Sequence, residues 1–140
     1  MNKKLTRVLE IAHQVRTWAE NEADRARRAD SLVGYCAIAS AELHKRLQKA
    51  NIESEIHIYN GDNLSHVFLC VEDYVVDVTA TQFGEFRYHP VVIIHRKEAE
   101  QYYFFESNEI FVDVDELRKY QTRTKWPQNQ IAYGRHIARR

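Results

Sequence analysis

The first part of the chain carries apolar residues at helical spacing. In the opening segment they are Leu5, Val8, Leu9, Ala12, Val15 and Ala19. This spacing predicts an amphipathic helix that continues to about residue 28. Gly34 interrupts the pattern, and a second helix is predicted from Cys36 to Ala50, because apolar residues again recur there at helical spacing.

After Asn51 the pattern changes to the alternation of apolar and polar residues that half-buried strands show. Strands are predicted over residues 53–59, 65–71, 74–79 and 91–95. An Asn-Gly-Asp turn is predicted at 60–62, a further strand over 104–112, and a short helix over 114–124. Helices that precede an antiparallel meander are typical of the α+β class. We therefore expect N-terminal helices packed on an antiparallel β-sheet.

The composition suits one domain over residues 1–140 and argues against some partners. Lys and Arg number 20, and Asp and Glu also number 20, so the net charge is zero. This balance argues against nucleic acid and against acidic lipid as partners. Glu10 and His13 interrupt the N-terminal segment, which argues against a signal peptide, and no apolar stretch has the length of a membrane span. Cys36 and Cys70 are interpreted as free thiols, so a cytoplasmic location is expected.

The stretch LVGYCAIASAEL places Cys36 at the head of the second predicted helix. A helix N-terminus lowers the pKa of a thiol, because its unpaired N–H groups and its dipole favour negative charge. The same N–H groups can stabilise the oxyanion that forms when an acyl carbon becomes tetrahedral. Gly34 lets the backbone bend sharply into this helix. Cys36 is therefore a candidate nucleophile, although it could also be a small buried apolar residue.

Two residues downstream could assist such a thiol. A nucleophilic cysteine needs a base, and the base needs a group that holds its tautomer. If residues 72–73 form a two-residue turn, Phe68 faces Asp77, and His66 lies diagonal to Asp77 on the same face of the sheet. A carboxylate flanked by valines in a strand needs a partner. Taken singly, His66 could be an exposed strand residue, and Asp77 a strand-end residue bonded to nearby backbone groups.

The ordered segments GYCAIAS, SHVFLCV and DYVVDVT resemble the papain-like cysteine superfamily, and most of all its transglutaminase-like branch. In that branch a helix opens with the nucleophilic cysteine, and the histidine and aspartate follow on neighbouring antiparallel strands. The resemblance covers residues 30–80 and implies a Cys36–His66–Asp77 triad that works without a cofactor. Papain has a glutamine shortly before its cysteine that contributes to the oxyanion hole. This chain has Asp30 at the equivalent position, which favours the transglutaminase-like branch.

These observations favour thiol-dependent acyl chemistry on an amide, by a hydrolase or an acyltransferase. In this interpretation Cys36 attacks, His66 moves the proton and Asp77 orients His66. A protein or peptide amide is the expected substrate. Tyr59 and Gln82 are the candidates for a second oxyanion donor.

Two other interpretations stay open. Cys36, His66 and Asp77 could ligate zinc, although the chain has no Cys-x-x-Cys or His-x-x-x-His pair to support a metal site. The chain could also be a non-catalytic binding module that retains the fold. In that case the aromatic residues 102–105 would form a surface patch rather than fill the core.

Overall fold

The computed structural model describes residues 2–25, 32 and 34–132. Its helices are α1 (Lys3–Arg25), α2 (Cys36–Lys49), α3 (Arg96–Ala99) and α4 (Val114–Arg123). Its strands are β1 (Glu55–Asn60), β2 (Ser65–Val71), β3 (Tyr74–Asp77), β4 (Val92–His95) and β5 (Glu109–Phe111). Short 3₁₀ segments are found at Ala80–Gln82, Gly84–Phe86, Tyr103–Phe105 and Gln128–Gln130. The helices and the antiparallel sheet confirm the predicted α+β class. None of the helices within the described ranges is both long and apolar enough to cross a membrane.

The two N-terminal helices match the predicted ones closely. The helix α2 begins at Cys36, as predicted, and ends at Lys49, one residue before the predicted end. The helix α1 buries its predicted apolar stripe except for Leu9, which is half-buried, and the predicted end near residue 28 lies outside the described residues. Gly34 has a φ of 81°, a left-handed conformation that glycine adopts without strain. The chain can therefore turn sharply before α2 and place Cys36 in its first turn.

The strands lie in the order β4-β3-β2-β1-β5, and each neighbouring pair is antiparallel. Strands β1 to β4 form the predicted meander, and β5 pairs with the outer edge of β1. Glu72 and Asp73 form the two-residue turn between β2 and β3, and Val71 pairs with Tyr74, as predicted. Glu72 has a positive φ of 52°, as such tight turns require. This register fixes which residues of β2 and β3 share a face.

Both faces of the sheet are covered by apolar side chains. The helix-side core joins α1 and α2 to the sheet through residues that include Val15, Leu43, Leu47, Ile58, Val67 and Leu69. The opposite face carries an aromatic cluster that includes Phe68, Phe83, Phe86, Phe104 and Phe105. His66 lies at the margin of this cluster, so the candidate base is held within packed side chains.

The segment 102–105 belongs mainly to this aromatic cluster. Phe104 and Phe105 are buried, whereas Tyr103 is 54% exposed, so the four aromatic residues do not form a shared surface patch. The strand predicted over 104–112 is wrong in its first half. The chain there forms a 3₁₀ turn that packs both phenylalanines into the cluster, and the strand covers only Glu109–Phe111.

Candidate active site

The pairing of β2 with β3 places His66 and Asp77 side by side. Continued along the strands, the register puts Phe68 opposite Asp77, and His66 diagonal to Asp77 on the same face. His66 Nε2 lies 2.6 Å from Asp77 Oδ2, and both side chains are fully buried. The contact predicted from strand parity is therefore confirmed.

The carboxylate of Asp77 accepts three hydrogen bonds at the end of β3. One comes from His66 Nε2, and the other two reach Oδ1 from Thr79. The Thr79 backbone N–H lies 2.8 Å from Oδ1, and the Thr79 hydroxyl lies 3.2 Å from it. The backbone bond makes an Asx turn that ends the strand. Because Asp77 accepts the Nε2 proton, neutral His66 is held with its lone pair on Nδ1.

His66 is packed among aromatic rings that exclude water. Phe83 meets its ring edge-on at a centroid distance of 4.8 Å, and Phe68 stacks on it at 5.9 Å. Burial of the ring lowers the pKa of His66. The charge and hydrogen bond of Asp77, together with those of Cys36, outweigh the effect of burial and raise this pKa from its ordinary value of 6.5 to about 10. At neutral pH His66 is therefore an imidazolium paired with Asp77.

Cys36 lies beside His66 in the first turn of α2. A hydrogen bond and a charge interaction with Cys36 both contribute to the raised pKa of His66. Because Nε2 is bonded to Asp77, Nδ1 is the ring nitrogen that remains for Cys36. Ser40 docks this helix on β2, since its hydroxyl donates to the Val67 carbonyl at 3.1 Å. The structure thus brings together the three residues that the sequence singled out.

Gln82 is a fourth polar side chain at this site. It ends the 3₁₀ segment that follows the Asx turn, and its Nε2 donates to the Thr79 carbonyl at 3.2 Å. The same nitrogen lies 3.3 Å from His66 Nδ1. One short segment of chain therefore carries Asp77, which bonds one nitrogen of His66, and Gln82, which approaches the other.

Helix α1 supports the turn that carries Gln82. Arg16 Nη1 donates to the Val78 carbonyl and to the Thr81 hydroxyl, at 2.9 Å in each case. Its Nε donates to Glu20 at 2.8 Å. Arg16 is only 8% exposed, and its bond to the Val78 carbonyl is buried, so this bond ties α1 to the site where water does not compete for it.

A cavity of about 480 Å³ opens over Cys36. Its walls come from the β1–β2 connection over 60–65, from Gln82, and from the segment that follows α4. Hydrogen-bonding side chains in these walls are Asn60, Asn63, Ser65, Gln82 and Gln130, and Trp126 adds an apolar ring. The cavity thus offers both polar and apolar contacts within reach of the thiol.

The two candidates for a second oxyanion donor take different places. Gln82 lines the cavity beside Cys36. Tyr59 packs edge-on against Tyr103 at 5.8 Å, and its hydroxyl lies against Gly61. Of the two, Gln82 is therefore the one positioned to contact a group bound at the thiol. Asp30, the position equivalent to the papain glutamine, lies outside the described residues.

The wall that follows α4 was not identified from the sequence. Thr124, Lys125 and Trp126 come far along the chain from the β1–β2 connection that they face across the cavity. No local motif marks them, because they reach the site only through the placement of α4 beside the sheet. A positive φ of 61° at Lys125, at the end of that helix, is not readable from residue type either.

The second thiol is unsuited to nucleophilic attack. Cys70 lies at the other end of the sheet, next to a cavity of about 970 Å³ that His44 and Arg96 also line. Burial raises the pKa of Cys70 to about 12, although Arg96 lowers it and Glu55 adds to the rise. Cys70 therefore stays protonated at neutral pH, as expected for a core residue.

The zinc interpretation gains no support from the geometry. Within the described residues, no group of three or more His, Cys, Asp or Glu side chains is arranged to hold a metal ion. Instead of converging on a common point, His66 Nε2 and Asp77 Oδ2 bond each other.

Comparison of the chain with protein-family models, with curated proteins and with solved structures finds no match. The functional interpretation therefore depends on the geometry of this site and on the resemblance of its three short segments.

Proposed function

We propose that the chain has a papain-like fold of the transglutaminase-like kind and catalyses acyl chemistry on an amide. Cys36 is the nucleophile, His66 is the base and acid, and Asp77 orients His66. The observation that carries this proposal is the buried His66, which bonds Asp77 through Nε2 and keeps Nδ1 for Cys36. A buried histidine held in this way next to a thiol has the geometry that nucleophilic catalysis needs.

The reaction follows from these contacts. Cys36 Sγ attacks the amide carbon, a C–S bond forms, and the carbonyl π pair moves to the oxygen. When that pair returns, the C–N bond breaks and the leaving nitrogen takes the proton from His66 Nδ1. Neutral His66 then takes a proton from water or from an amine, which attacks the thioester and releases Cys36. Water gives hydrolysis, and an amine gives acyl transfer.

A protein or peptide amide is the substrate class that we propose. The cavity over Cys36 presents amide and hydroxyl side chains that can bond peptide groups, and the ring of Trp126 can cover an apolar side chain. Asp62 and Lys125 in its walls carry charges of opposite sign, so the cavity favours neither a cationic nor an anionic substrate. Two free cysteines are consistent with a reducing compartment, and we place the protein in the cytoplasm.

The test is the pH dependence of alkylation at each cysteine by iodoacetamide, followed by mass spectrometry. At about pH 6 an ordinary thiol is almost wholly protonated, so we expect Cys36 to react at least about tenfold faster than Cys70. In His66→Ala this advantage is expected to disappear. In His13→Ala, which removes an exposed histidine on α1, it is expected to remain.

A thermal unfolding curve for each variant separates lost reactivity from lost folding. Slow alkylation of Cys36 in the folded wild-type protein, with the pH profile of an ordinary thiol and no change in His66→Ala, would contradict the proposal. The non-catalytic binding module would then be the better interpretation.

A further inference from the structure

The hydrogen bond from the Gln82 side-chain amide to the Thr79 carbonyl leaves one N–H group of that amide unused. An amide NH₂ group has two N–H donors. One donates to the Thr79 carbonyl at 3.2 Å, and this bond also fixes which end of the amide is the nitrogen, because a carbonyl can only accept. The nitrogen lies 3.3 Å from His66 Nδ1, on the side of the cavity over Cys36.

Nδ1 can accept the second N–H only when His66 is neutral. Asp77 and Cys36 favour the protonated form, against the effect of burial, and raise the pKa of His66 to about 10. The protonated ring carries hydrogen on both nitrogens and cannot accept from Gln82. In that state the second N–H of Gln82 is available to an acceptor bound in the cavity.

We propose that Gln82 is a catalytic residue whose second Nε2–H donates to the substrate oxygen as Cys36 attacks. This rests on the proposed function. The oxygen gains the carbonyl π pair when the C–S bond forms, and it is neutral again when that pair returns and the leaving group departs. The backbone N–H of Cys36 is the complementary donor, since the first N–H groups of a helix have no acceptor within it.

Hydrogen bonds within the protein fix the position of the Gln82 amide before a substrate binds. Asp77 starts the Asx turn, and the Thr79 carbonyl accepts the first N–H of Gln82. Arg16 stabilises the same turn through its bond to the Val78 carbonyl. A donor fixed in this way needs little reorganisation as charge develops on the oxygen, which is the condition for strong electrostatic stabilisation. The same short segment thus orients the base and supplies the oxyanion donor.

The test compares two reagents that make different demands on the site. Iodoacetamide reacts at a CH₂ carbon and forms no oxyanion, so it reports only on the reactivity of the thiol. p-Nitrophenyl acetate reacts through a tetrahedral oxyanion, transfers an acetyl group to Cys36 and releases p-nitrophenolate, whose absorbance gives the rate. Mass spectrometry identifies the modified cysteine.

In Gln82→Ala we expect acetylation of Cys36 to fall by about 10²- to 10³-fold, the usual loss for one oxyanion donor. We expect alkylation by iodoacetamide to change by less than about threefold. Gln82→Met, which keeps the length of the side chain without a donor, is the second variant. Gln101→Ala is the matched control, because that exposed amide also donates to the carbonyl three residues earlier, at 3.1 Å, and both rates should stay unchanged.

The outcomes separate this inference from the proposed function. If the wild-type protein shows slow alkylation at Cys36, the proposed function fails, and the role of Gln82 fails with it. If alkylation is fast but acetylation survives in both Gln82 variants, only the oxyanion role is overturned. An equal fall in both rates also overturns it, because Gln82 would then act on the thiol and its base rather than on the oxyanion.

Discussion

Asp77 determines the position of the proton on His66. Its Oδ1 accepts from Thr79, and its Oδ2 accepts from His66 Nε2. In Asp77→Asn the side-chain carbonyl can keep the Thr79 bonds, which turns the new NH₂ group toward His66. That group can only donate, so it favours the tautomer with the lone pair on Nε2 and the hydrogen on Nδ1. Nδ1 would then be unable to accept the thiol proton.

We therefore expect Asp77→Asn to slow alkylation of Cys36 at neutral pH by on the order of 10²-fold, with the fold retained. The pKa of His66 should also fall, because a carboxylate that raises it is lost. Nitrogen chemical shifts of the imidazole report both the tautomer and the pKa. Asp73→Asn, which changes the exposed carboxylate of the β2–β3 turn, is the control. An unchanged tautomer and an unchanged rate in Asp77→Asn would remove Asp77 from the mechanism.

Among single residues, the sequence predicted those whose positions relative to each other depend only on a short stretch of chain. His66 and Asp77 are linked by one two-residue turn, so the parity of two strands was enough to pair them. Gln82 could only be suggested, because its position depends on the Asx turn at Thr79 and on support from Arg16. A buried contact from a distant helix leaves no local pattern in the residues that it holds.

The position of Cys36 depends on how the chain enters α2. Gly34 has a φ of 81°, a conformation that costs a residue with a Cβ atom about 1–2 kcal/mol. We expect Gly34→Ala to lower the free energy of unfolding by about that amount and to slow alkylation of Cys36, since the first turn of α2 must shift to relieve the strain. Denaturant unfolding and the iodoacetamide rate measure the two effects.

Gly84→Ala provides the matched comparison. Gly84 begins the 3₁₀ segment Gly84–Phe86, and a Cβ atom added there meets nothing within 4 Å. Its free energy of unfolding should change by less than about 0.5 kcal/mol. Equal effects of the two substitutions would show that the left-handed conformation at Gly34 has no special role.

Helices and strands with a regular recurrence of apolar residues were predictable from the sequence. Segments whose conformation depends on packing were not. The helix α2 and the strand β2 begin where their patterns begin, at Cys36 and Ser65. In contrast, the aromatic run before Glu109 also suits a strand, and only the cluster on the far face of the sheet selects the 3₁₀ turn there. The far wall of the cavity, with Trp126, likewise depends on where α4 packs.

Several histidines are buried in the folded protein, and their pKa values shift in opposite directions. Burial lowers the pKa of His57, although Glu55 raises it in part. Burial also lowers the pKa of His44, against a smaller opposing effect of Asp113. Both groups stabilise the fold fully above pH 6.5, their ordinary value, and this contribution is lost as the pH falls through their folded pKa values. His66 acts in the opposite sense, because its pKa is raised to about 10.

The stabilising contribution of His66 is complete below pH 6.5 and is lost as the pH rises toward 10, because the unfolded chain releases this proton earlier. We therefore expect the free energy of unfolding of Cys36→Ser, measured by urea titration, to be greatest near pH 6.5 and to decline on both sides. Serine replaces the thiol because an ionised Cys36 would cancel the effect: folding would then move one proton from the thiol to the imidazole without net proton uptake. Between pH 6.5 and 9 the decline belongs to His66, since the unfolded Cys70 thiol, with its ordinary pKa of 9.0, contributes only above that range. Adding His66→Gln to this variant should abolish the decline above pH 6.5, whereas adding His57→Gln should leave it intact and weaken the decline at low pH. If Cys36→Ser is equally stable at pH 6.5 and pH 9, Asp77 does not hold His66 as an imidazolium, and the buried Asp77–His66 pair loses its electrostatic basis.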